Sequence, residues 1–233
     1  MIPGTFSTIK STSSNGIEYI GQSAKFVVSG SSSSITVDYP TGIQANDIIL
    51  LIAHEDDTGT HVSWPPAGWT NIYTGSTTYT GFWIRIAYLV YSSGSSVTMT
   101  TTGIDHILCR TFAFRGVNTS SVIDGSVVHT LDTATPTPNT FNFSNITTTL
   151  PNSYVCNVMG HDIDTTTASV TWNTNASLLN PVEITDTSTQ TGWNGGYSLY
   201  GGLKSSAGLV DNATGSLKAD SYKRFVGWAF KAA

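Results

Sequence analysis

The chain has 233 residues and a net charge of −5, and only 11% of its residues are charged. Because it has no basic cluster, we expect no nucleic-acid binding through a phosphate-neutralising surface. No apolar run reaches the roughly eighteen residues of a membrane span, so we expect no membrane insertion. A low charged fraction with abundant Ser and Thr is typical of a β-protein whose outer faces carry hydroxyl groups.

The first 22 residues are polar and weakly patterned. We expect residues 1–22 to form an N-terminal arm that orders against a partner, followed by a single β-sandwich domain over 23–233. The first residues show no basic region followed by an apolar stretch, so we expect no secretory signal.

The stretch 46–57 contains a polar turn, an unbroken apolar run and an acidic end, which predicts a central β-strand. Residues 152–164 repeat this layout, with a His and acids closing both stretches. The corresponding segments on either side are 35–40 with 141–146, 62–64 with 170–172, 87–94 with 200–208, and 112–116 with 228–232. We therefore predict two degenerate copies of one β-unit, over about 24–117 and 122–233, each supplying part of both sheets of one sandwich.

Period-two alternation recurs along the chain, and no segment shows the 3.6-residue period of a helix. The predicted fold class is therefore all-β: a jelly-roll-like antiparallel β-sandwich with almost no helix. Cys109 and Cys156 both lie in mid-strand among apolar residues. We interpret them as two buried free thiols, with a single inter-strand bridge as the alternative.

Four motifs follow one another in a fixed order: Asn-Asp-Ile-Ile-Leu-Leu at 46–51, Pro-Ala-Gly-Trp-Thr at 66–70, Ala-Tyr at 87–88, and Ala-Phe-Arg-Gly-Val at 113–117. Together they resemble a widespread β-sandwich domain of bacteriophage structural proteins and bacterial surface proteins. Asn46 stands where that family usually has Gly. The resemblance implies a jelly-roll-like sandwich with a role in virion surfaces, tail fibres or adhesion, and it supplies no catalytic residues.

Acidic residues close the first central strand at Glu55, Asp56 and Asp57, with His54 and His61 beside them. Hard oxygen ligands on a loop suit Ca²⁺, so these three acids are candidate calcium ligands. The alternative is a solvated loop whose acids keep a sheet edge soluble. We favour this alternative because no EF-hand spacing is present, and we expect no other cofactor.

No nucleophile motif such as Gly-x-Ser-x-Gly occurs, and Asp and Glu are scarce. Glu183, Asp186 and Asp211 are scattered in predicted loops and do not form the carboxylate pair of a glycosidase. We therefore expect that the chain is not an enzyme.

Trp193, Trp64 and Trp69 lie at or near predicted loops, where exposed rings could stack on sugars. Trp193, in the Gly-rich stretch 191–196, is the strongest candidate for an exposed ring. Trp64 corresponds to Trp172 in the second copy, and the alternative for this pair is that both fill equivalent core positions.

Two hypotheses follow. The first is a bacteriophage virion structural protein, a capsid decoration, fibre or tail-surface component, made in the host cytoplasm and docked through its arm. Its partners are other virion proteins and further copies of itself, with a trimer favoured. The second is a carbohydrate-binding or adhesin module of a bacterial cell surface, whose partner is a surface glycan.

Overall fold

The computed structural model describes residues 16–56, 62–75, 82–137, 139–143, 145–163, 169–189 and 195–233, with backbone alone for strand residues 29–33, 56, 101–105 and 131–137. Within these ranges the chain forms sixteen β-strands and no helix, which confirms the predicted all-β class. In chain order the strands are β1 (Glu18–Gln22), β2 (Phe26–Asp38), β3 (Ile48–Asp56), β4 (Thr70–Gly75), β5 (Phe82–Val90), β6 (Ser96–Arg115), β7 (Ile123–Thr137), β8 (Thr140–Phe143), β9 (Thr147–Thr148), β10 (Ser153–His161), β11 (Val170–Trp172), β12 (Leu179–Thr189), β13 (Gly195–Lys204), β14 (Gly208–Leu209), β15 (Ala213–Leu217) and β16 (Ser221–Phe230).

Two large sheets form the centre of the molecule. The first major sheet has the strand order β1-β6-β3-β5-β4, and β2 also pairs with β6. The second major sheet has the order β12-β13-β10-β16-β7. Two smaller sheets, β11-β15-β8 and β14-β9, complete the second half of the chain. Neighbouring strands are antiparallel throughout these sheets, so the predicted antiparallel β-sandwich is confirmed.

The central strand β3 is buried on both faces, which explains its unbroken apolar run. Successive side chains of a strand point to opposite faces of the sheet. Leu50 and Ile52 face the second major sheet and join the main core with its residues. Ile49 and Leu51 face the other side and join a separate cluster within the first half.

The main hydrophobic core lies between the two major sheets and contains large aromatic residues from both halves. Phe114 of the first sheet lies 5.4 Å from Tyr154 and 5.0 Å from Phe230 of the second, measured between ring centroids. Trp228 is fully buried in the same cluster. Burial of this apolar surface is the dominant force that holds the two sheets together.

The outer face of each major sheet is covered by a smaller layer from the same half of the chain. In the first half, Ile35 of β2 and Met99 of β6 pack on it. In the second half, Phe143 of β8 and Ala213 of β15 do so. Each half therefore builds its own sandwich and its own major sheet. This corrects the expectation that each copy supplies part of both sheets, since each of the four described sheets takes its strands from one half.

The two halves pair their central strands in the same register. Ile48 of β3 is opposite Phe114 of β6, and Tyr154 of β10 is opposite Phe230 of β16. These four residues are equivalent in the sequence repeat. The halves make a backbone bridge with each other between Val117 and Ala232, next to the ends of β6 and β16.

A β-bulge also recurs at the equivalent point of the two halves. In β4 the register shifts between Asn71 and Tyr73, and in β12 it shifts between Glu183 and Thr185. A bulge inserts an extra residue and re-aims the side chains around it. Its recurrence in both edge strands is what an internal repeat would produce.

The turns before the two central strands both use an asparagine with left-handed backbone. The φ angle is 72° at Asn46 and 61° at Asn152. Asparagine tolerates this conformation better than other residues with a side chain. The Gly-to-Asn difference from the phage family pattern is therefore compatible with the same turn.

The folded part begins earlier than the sequence predicts. Glu18–Gln22 form β1 and pair with the end of β6, and Ile17 is buried in the main core. Tyr19 packs on Phe114 with ring centroids 5.6 Å apart. The expected arm over residues 1–22 is therefore wrong for its last part, and residues 1–15 lie outside the described residues.

Both cysteines are buried and free. Cys156 faces the main core, whereas Cys109 faces the outer layer of the first half. Burial raises the pKa of both thiols, so they stay protonated and act as small hydrophobic groups.

Candidate functional site

The carboxyl ends of the two central strands meet at one end of the molecule. Asp56 at the end of β3 is opposite Phe82, and His161 at the end of β10 is opposite Gly196. His54 Nε2–H donates a hydrogen bond of 3.1 Å to the carbonyl oxygen of His161 and so joins the two sheets. We call this region, defined by His54 and His161, the histidine end.

The described chain termini lie at the opposite end. A Cβ placed on Gly116 would lie 3.1 Å from the carbonyl oxygen of Gly16. The Ala233 N–H donates to the Gly116 carbonyl at 2.9 Å. We call this region, defined by Gly16, Gly116 and Ala233, the terminal end. Since β3 has nine residues, the two ends are about 30 Å apart.

His54 is enclosed between the sheets. Its ring stacks on Phe82 with centroids 5.2 Å apart. Gly195 lies against the inter-sheet hydrogen bond, because a Cβ placed there would be 2.6 Å from His54 Cε1 and 2.7 Å from the His161 carbonyl oxygen. Burial lowers the pKa of His54 to about 4, so the ring is neutral at pH 7.

The ring of His161 is fully buried on the other face of its sheet. Its Nδ1 accepts the Ile163 N–H at 3.2 Å, which leaves the single ring proton on Nε2. Nε2–H donates to Ser169 Oγ at 2.7 Å, and the Ser169 hydroxyl donates to Asp186 Oδ1 at 3.3 Å. Burial lowers the pKa of His161 to about 3, and the nearby His54 adds to this shift.

Asp186 anchors the chain that follows this ring. It lies on β12, as does Glu183, which corrects the prediction that both fall in loops. Asp186 Oδ2 accepts the N–H of Ser169 at 2.6 Å and of Val170 at 2.8 Å. Burial raises the pKa of Asp186, although these hydrogen bonds act in the opposite direction. The carboxylate therefore serves as an acceptor for the backbone at the start of β11.

A second chain of hydrogen bonds ends on Glu183. Trp172 Nε1–H donates to Ser198 Oγ at 2.7 Å, and the Ser198 hydroxyl donates to Glu183 Oε1 at 2.7 Å. The Trp172 ring stacks on Tyr200 at 5.1 Å and meets Phe141 edge-on at 5.0 Å. Trp172 is thus a partly buried residue that packs against the clusters of the second half.

The candidate calcium ligands do not form a described site. Glu55 is 0% exposed and its Oε1 lies 2.9 Å from Arg85 Nε, so its carboxylate is engaged in a buried ion pair. The Asp56 side chain, Asp57 and His61 lie outside the described residues. Among the side chains that the structure describes, no group of three or more His, Cys, Asp or Glu is arranged to hold a metal ion. A calcium site stays a prediction that depends on Asp56 and Asp57.

Two of the three candidate tryptophans lie in the described part of the chain. Trp69 is 8% exposed and lies 6.3 Å from Tyr39 between ring centroids. This corrects the prediction of an exposed Trp69 ring, because a buried indole has no face available to a sugar. Trp64 is half-buried against the same cluster, and its Nε1–H donates to Asn71 Oδ1 at 2.9 Å.

Trp193 lies outside the described residues. The described residues on either side, Thr189 and Gly195, are paired with each other at the ends of β12 and β13. Gly195 also contacts His54. The described residues on both sides of Trp193 therefore lie at the histidine end.

A polar cleft of about 490 Å³ lies at the terminal end, lined by residues 44–47, residues 115–120 and Ala233. Arg115 donates to both carboxylate oxygens of Asp47, at 2.9 and 2.8 Å, and to the Gly42 carbonyl at 3.1 Å. The guanidinium and the carboxylate in this cleft are therefore paired with each other.

The contact between Ser169 and His161 does not form a nucleophile with its base. A general base must accept the hydroxyl proton, whereas His161 Nε2–H donates to Ser169 Oγ, and its other nitrogen already accepts an amide N–H. Ser169 is also only 3% exposed. This arrangement holds the fold together and offers no access to a substrate.

No protein-family model matches the chain, and no curated protein or solved structure matches it. The described ranges contain no helix that is long and apolar enough to cross a membrane.

Sequence reasoning missed Ser169, Ser198 and the anchoring role of Asp186. One signal was available in the repeat: His161 and Ser198 occupy the positions of Glu55 and Arg85 in the first half. Glu55 and Arg85 form a buried ion pair in the first half. The polar residues at the equivalent positions of the second half, His161 and Ser198, therefore also need buried hydrogen-bond partners.

Proposed function

We propose that this chain is a non-enzymatic structural protein of a bacteriophage particle, a capsid decoration, fibre or tail-surface component. The observation that carries the proposal is the separation of the two ends of the molecule. Residues 1–15 join the fold at Gly16 in the terminal end, whereas the histidine end lies about 30 Å away. A chain attached through its first residues directs the histidine end away from the attachment point.

The motif residues support the same proposal through their structural roles. Asp47 of the Asn-Asp motif and Arg115 of the Arg-Gly-Val motif form the ion pair of the terminal end. Gly116 has a φ of 79°, which favours glycine, and Trp69 is buried in the core. These motifs maintain a sandwich, as the resemblance to phage surface domains implies.

The test compares the native mass of the full-length protein with that of a chain that begins at Gly16. We expect a closed oligomer, with a trimer favoured, for the full-length protein and a monomer for the shortened chain. The shortened chain should still unfold in a cooperative transition, because the deletion leaves Ile17 and β1 in place. The same mass for both chains would contradict docking through residues 1–15.

A matched control deletes residues 1–22. This deletion removes β1 and the buried Ile17, so it should lower stability as well as assembly. The difference between the two deletions separates loss of docking from loss of folding.

Carbohydrate binding is the second candidate function, favoured by the position of Thr189 and Gly195, the described residues on either side of Trp193, at the histidine end. The isolated protein should then show saturable binding on a glycan array, and Trp193→Ala should abolish it. Trp69→Phe should leave binding intact, because the Trp69 ring is buried in the first half. Absence of binding by the full-length protein would remove this candidate.

A further inference from the structure

We propose that His161 is an acid-released latch of the histidine end, in which a second ring proton displaces the Ile163 N–H and loosens Ile163 and Ser169 on either side of the ring. This inference is independent of the proposed function. It concerns a conformational response built into the second half of the chain.

The first step is the geometry of the ring nitrogens. His161 Nδ1 accepts the Ile163 N–H at 3.2 Å, and Nε2–H donates to Ser169 Oγ. An imidazolium carries N–H groups at both nitrogens and accepts at neither. A second proton would place two donors face to face, so the bond from Ile163 must break when His161 becomes charged.

His161 holds two residues that follow it in the chain. Ile163 and Ser169 are both bound to His161, one at each nitrogen. Ser169 and Val170 are also bound through their N–H groups to Asp186. Movement of the ring therefore releases Ile163 directly. It leaves Ser169 held by Asp186 and by the Lys218 N–H, which donates to the Ser169 carbonyl oxygen at 2.8 Å.

The third step is the local charge. Among the described residues, the charged and titratable groups on the neighbouring elements are Lys223 and Arg224 on β16, Asp186 and Glu183 on β12, Asp162 after β10, Lys218 after β15, and His54 on β3. Lys223 is directly opposite His161 and is 1% exposed, and Arg224 follows it at 2% exposed. The pKa of His161 is lowered mainly by burial, and the nearby His54 adds to this shift. Asp186 contacts the ring only through Ser169.

The sign of the pH dependence follows from these positions. The pKa of His161 is lowered by burial to about 3, whereas an exposed histidine has a pKa of about 6.5. The opened form therefore takes up a proton first as the pH falls. Proton linkage predicts that the opening equilibrium increases about thirtyfold between pH 8 and pH 5.

Hydrogen exchange measured by mass spectrometry on the full-length protein tests the proposal. Peptides that contain Ile163, Ser169 and Val170 should show about thirtyfold more opening at pH 5 than at pH 8, after correction for intrinsic exchange rates. In His161→Gln the amide oxygen can accept the Ile163 N–H and the amide nitrogen can donate to Ser169, but the side chain does not titrate. This variant should lose most of the increase.

His129→Gln is the matched control, because His129 is an exposed histidine on β7 and its loss should leave the response intact. An equal degree of opening at both pH values in the wild type would overturn the proposal. So would a full response that persists in His161→Gln.

A second measurement covers the case in which His161→Gln does not fold. Nitrogen-15 NMR of the histidine rings in the wild-type protein should show His161 with its proton on Nε2 at pH 7. The folded-state signal should not titrate above pH 5. A ring that titrates near pH 6.5 while the protein stays folded would overturn the proposal.

Discussion

At the scale of the residue, Gly195 decides how closely the two major sheets approach at the histidine end. Its backbone lies against the ring of His54 and the carbonyl of His161, and a Cβ at this position would come within 2.6 Å of the ring. His54 and His161 are both buried, so neither group can move into solvent without opening the contact between the two major sheets, here called the seam. Glycine is required here for close approach of the backbone.

We expect Gly195→Ala to lower the free energy of unfolding by about 3 kcal/mol, because the methyl group must displace the ring or the carbonyl. Urea denaturation followed by tryptophan fluorescence measures this loss. Gly21→Ala is the matched control, since a Cβ at Gly21 would meet no atom within 4 Å. Equal stability of the two variants would show that the seam accommodates a side chain.

Residue-scale features of this kind could not be predicted from the sequence. The burial of Leu50 followed from a continuous apolar run, which is a local pattern. The role of Gly195 depends on its contact with His54, which lies far away in the sequence. No local pattern encodes that contact. The same holds for Asp186 on β12, whose backbone donors Ser169 and Val170 lie at the start of β11.

At the scale of the element, Asp124 connects β7 to the turn that precedes β10. Its carboxylate accepts the N–H of Thr149 at 3.0 Å, the N–H of Leu150 at 3.2 Å and the hydroxyl of Ser153 at 2.6 Å. The Thr149 hydroxyl donates to it as well. Burial alone would raise the pKa of Asp124, but the hydrogen bonds from Ser153 and Thr149 outweigh it and hold the pKa below its usual value.

We expect Asp124→Ala to lower the free energy of unfolding by about 3 kcal/mol at pH 7, because several donors lose a charged acceptor. A lowered carboxyl pKa gives stability that is present above the unfolded-state pKa of 3.8 and is lost as the pH falls through the folded-state value. The difference between Asp124→Ala and the wild type should therefore shrink below about pH 4.

Thermal unfolding at pH 7 and at pH 3 measures this dependence. Asp220→Ala is the control, since Asp220 is exposed. A deficit in Asp124→Ala that is the same at both pH values would exclude the carboxylate as its source.

Elements were predicted well where one strand carries its own pattern. β3 and β10 have unbroken apolar runs, and both were expected as central strands. β1 was missed because its five residues are only partly buried and become a strand through pairing with β6. β12 was missed because polar residues and Pro181 dominate it, as is common in an edge strand.

At the scale of the whole molecule, side chains near both edges of the major sheets link the two halves. Arg110 of β6 donates to Thr185 of β12 at 2.8 Å, and Arg224 of β16 donates to the hydroxyl of Tyr73 on β4 at 2.7 Å. The aromatic core lies between these links. Each half would expose a whole apolar sheet face if it were separated from the other.

We therefore expect the full chain to unfold in one cooperative transition, with a ratio of calorimetric to van't Hoff enthalpy of about 1. Differential scanning calorimetry measures this ratio. Chains 16–117 and 118–233, expressed separately, should show no cooperative transition of their own. Two resolved transitions in the full chain would contradict this expectation.

The register of the central strands could be predicted from the matching segments of the sequence, but the arrangement of the two halves could not. Matching segments such as 112–116 and 228–232 align the strands in the register that the structure has. The two halves could share their sheets or each build a separate sheet, depending on which strand edges pair. The pattern of apolar residues is the same in both cases.

Residues 117–122 connect the two sandwiches covalently, and this connection keeps them associated at low protein concentration. A pair of separate chains with this interface would dissociate as the protein concentration falls, since association loses translational freedom. Here one sandwich is tethered to the other at a fixed effective concentration. The seam between the major sheets therefore persists in a single molecule, however few copies are present.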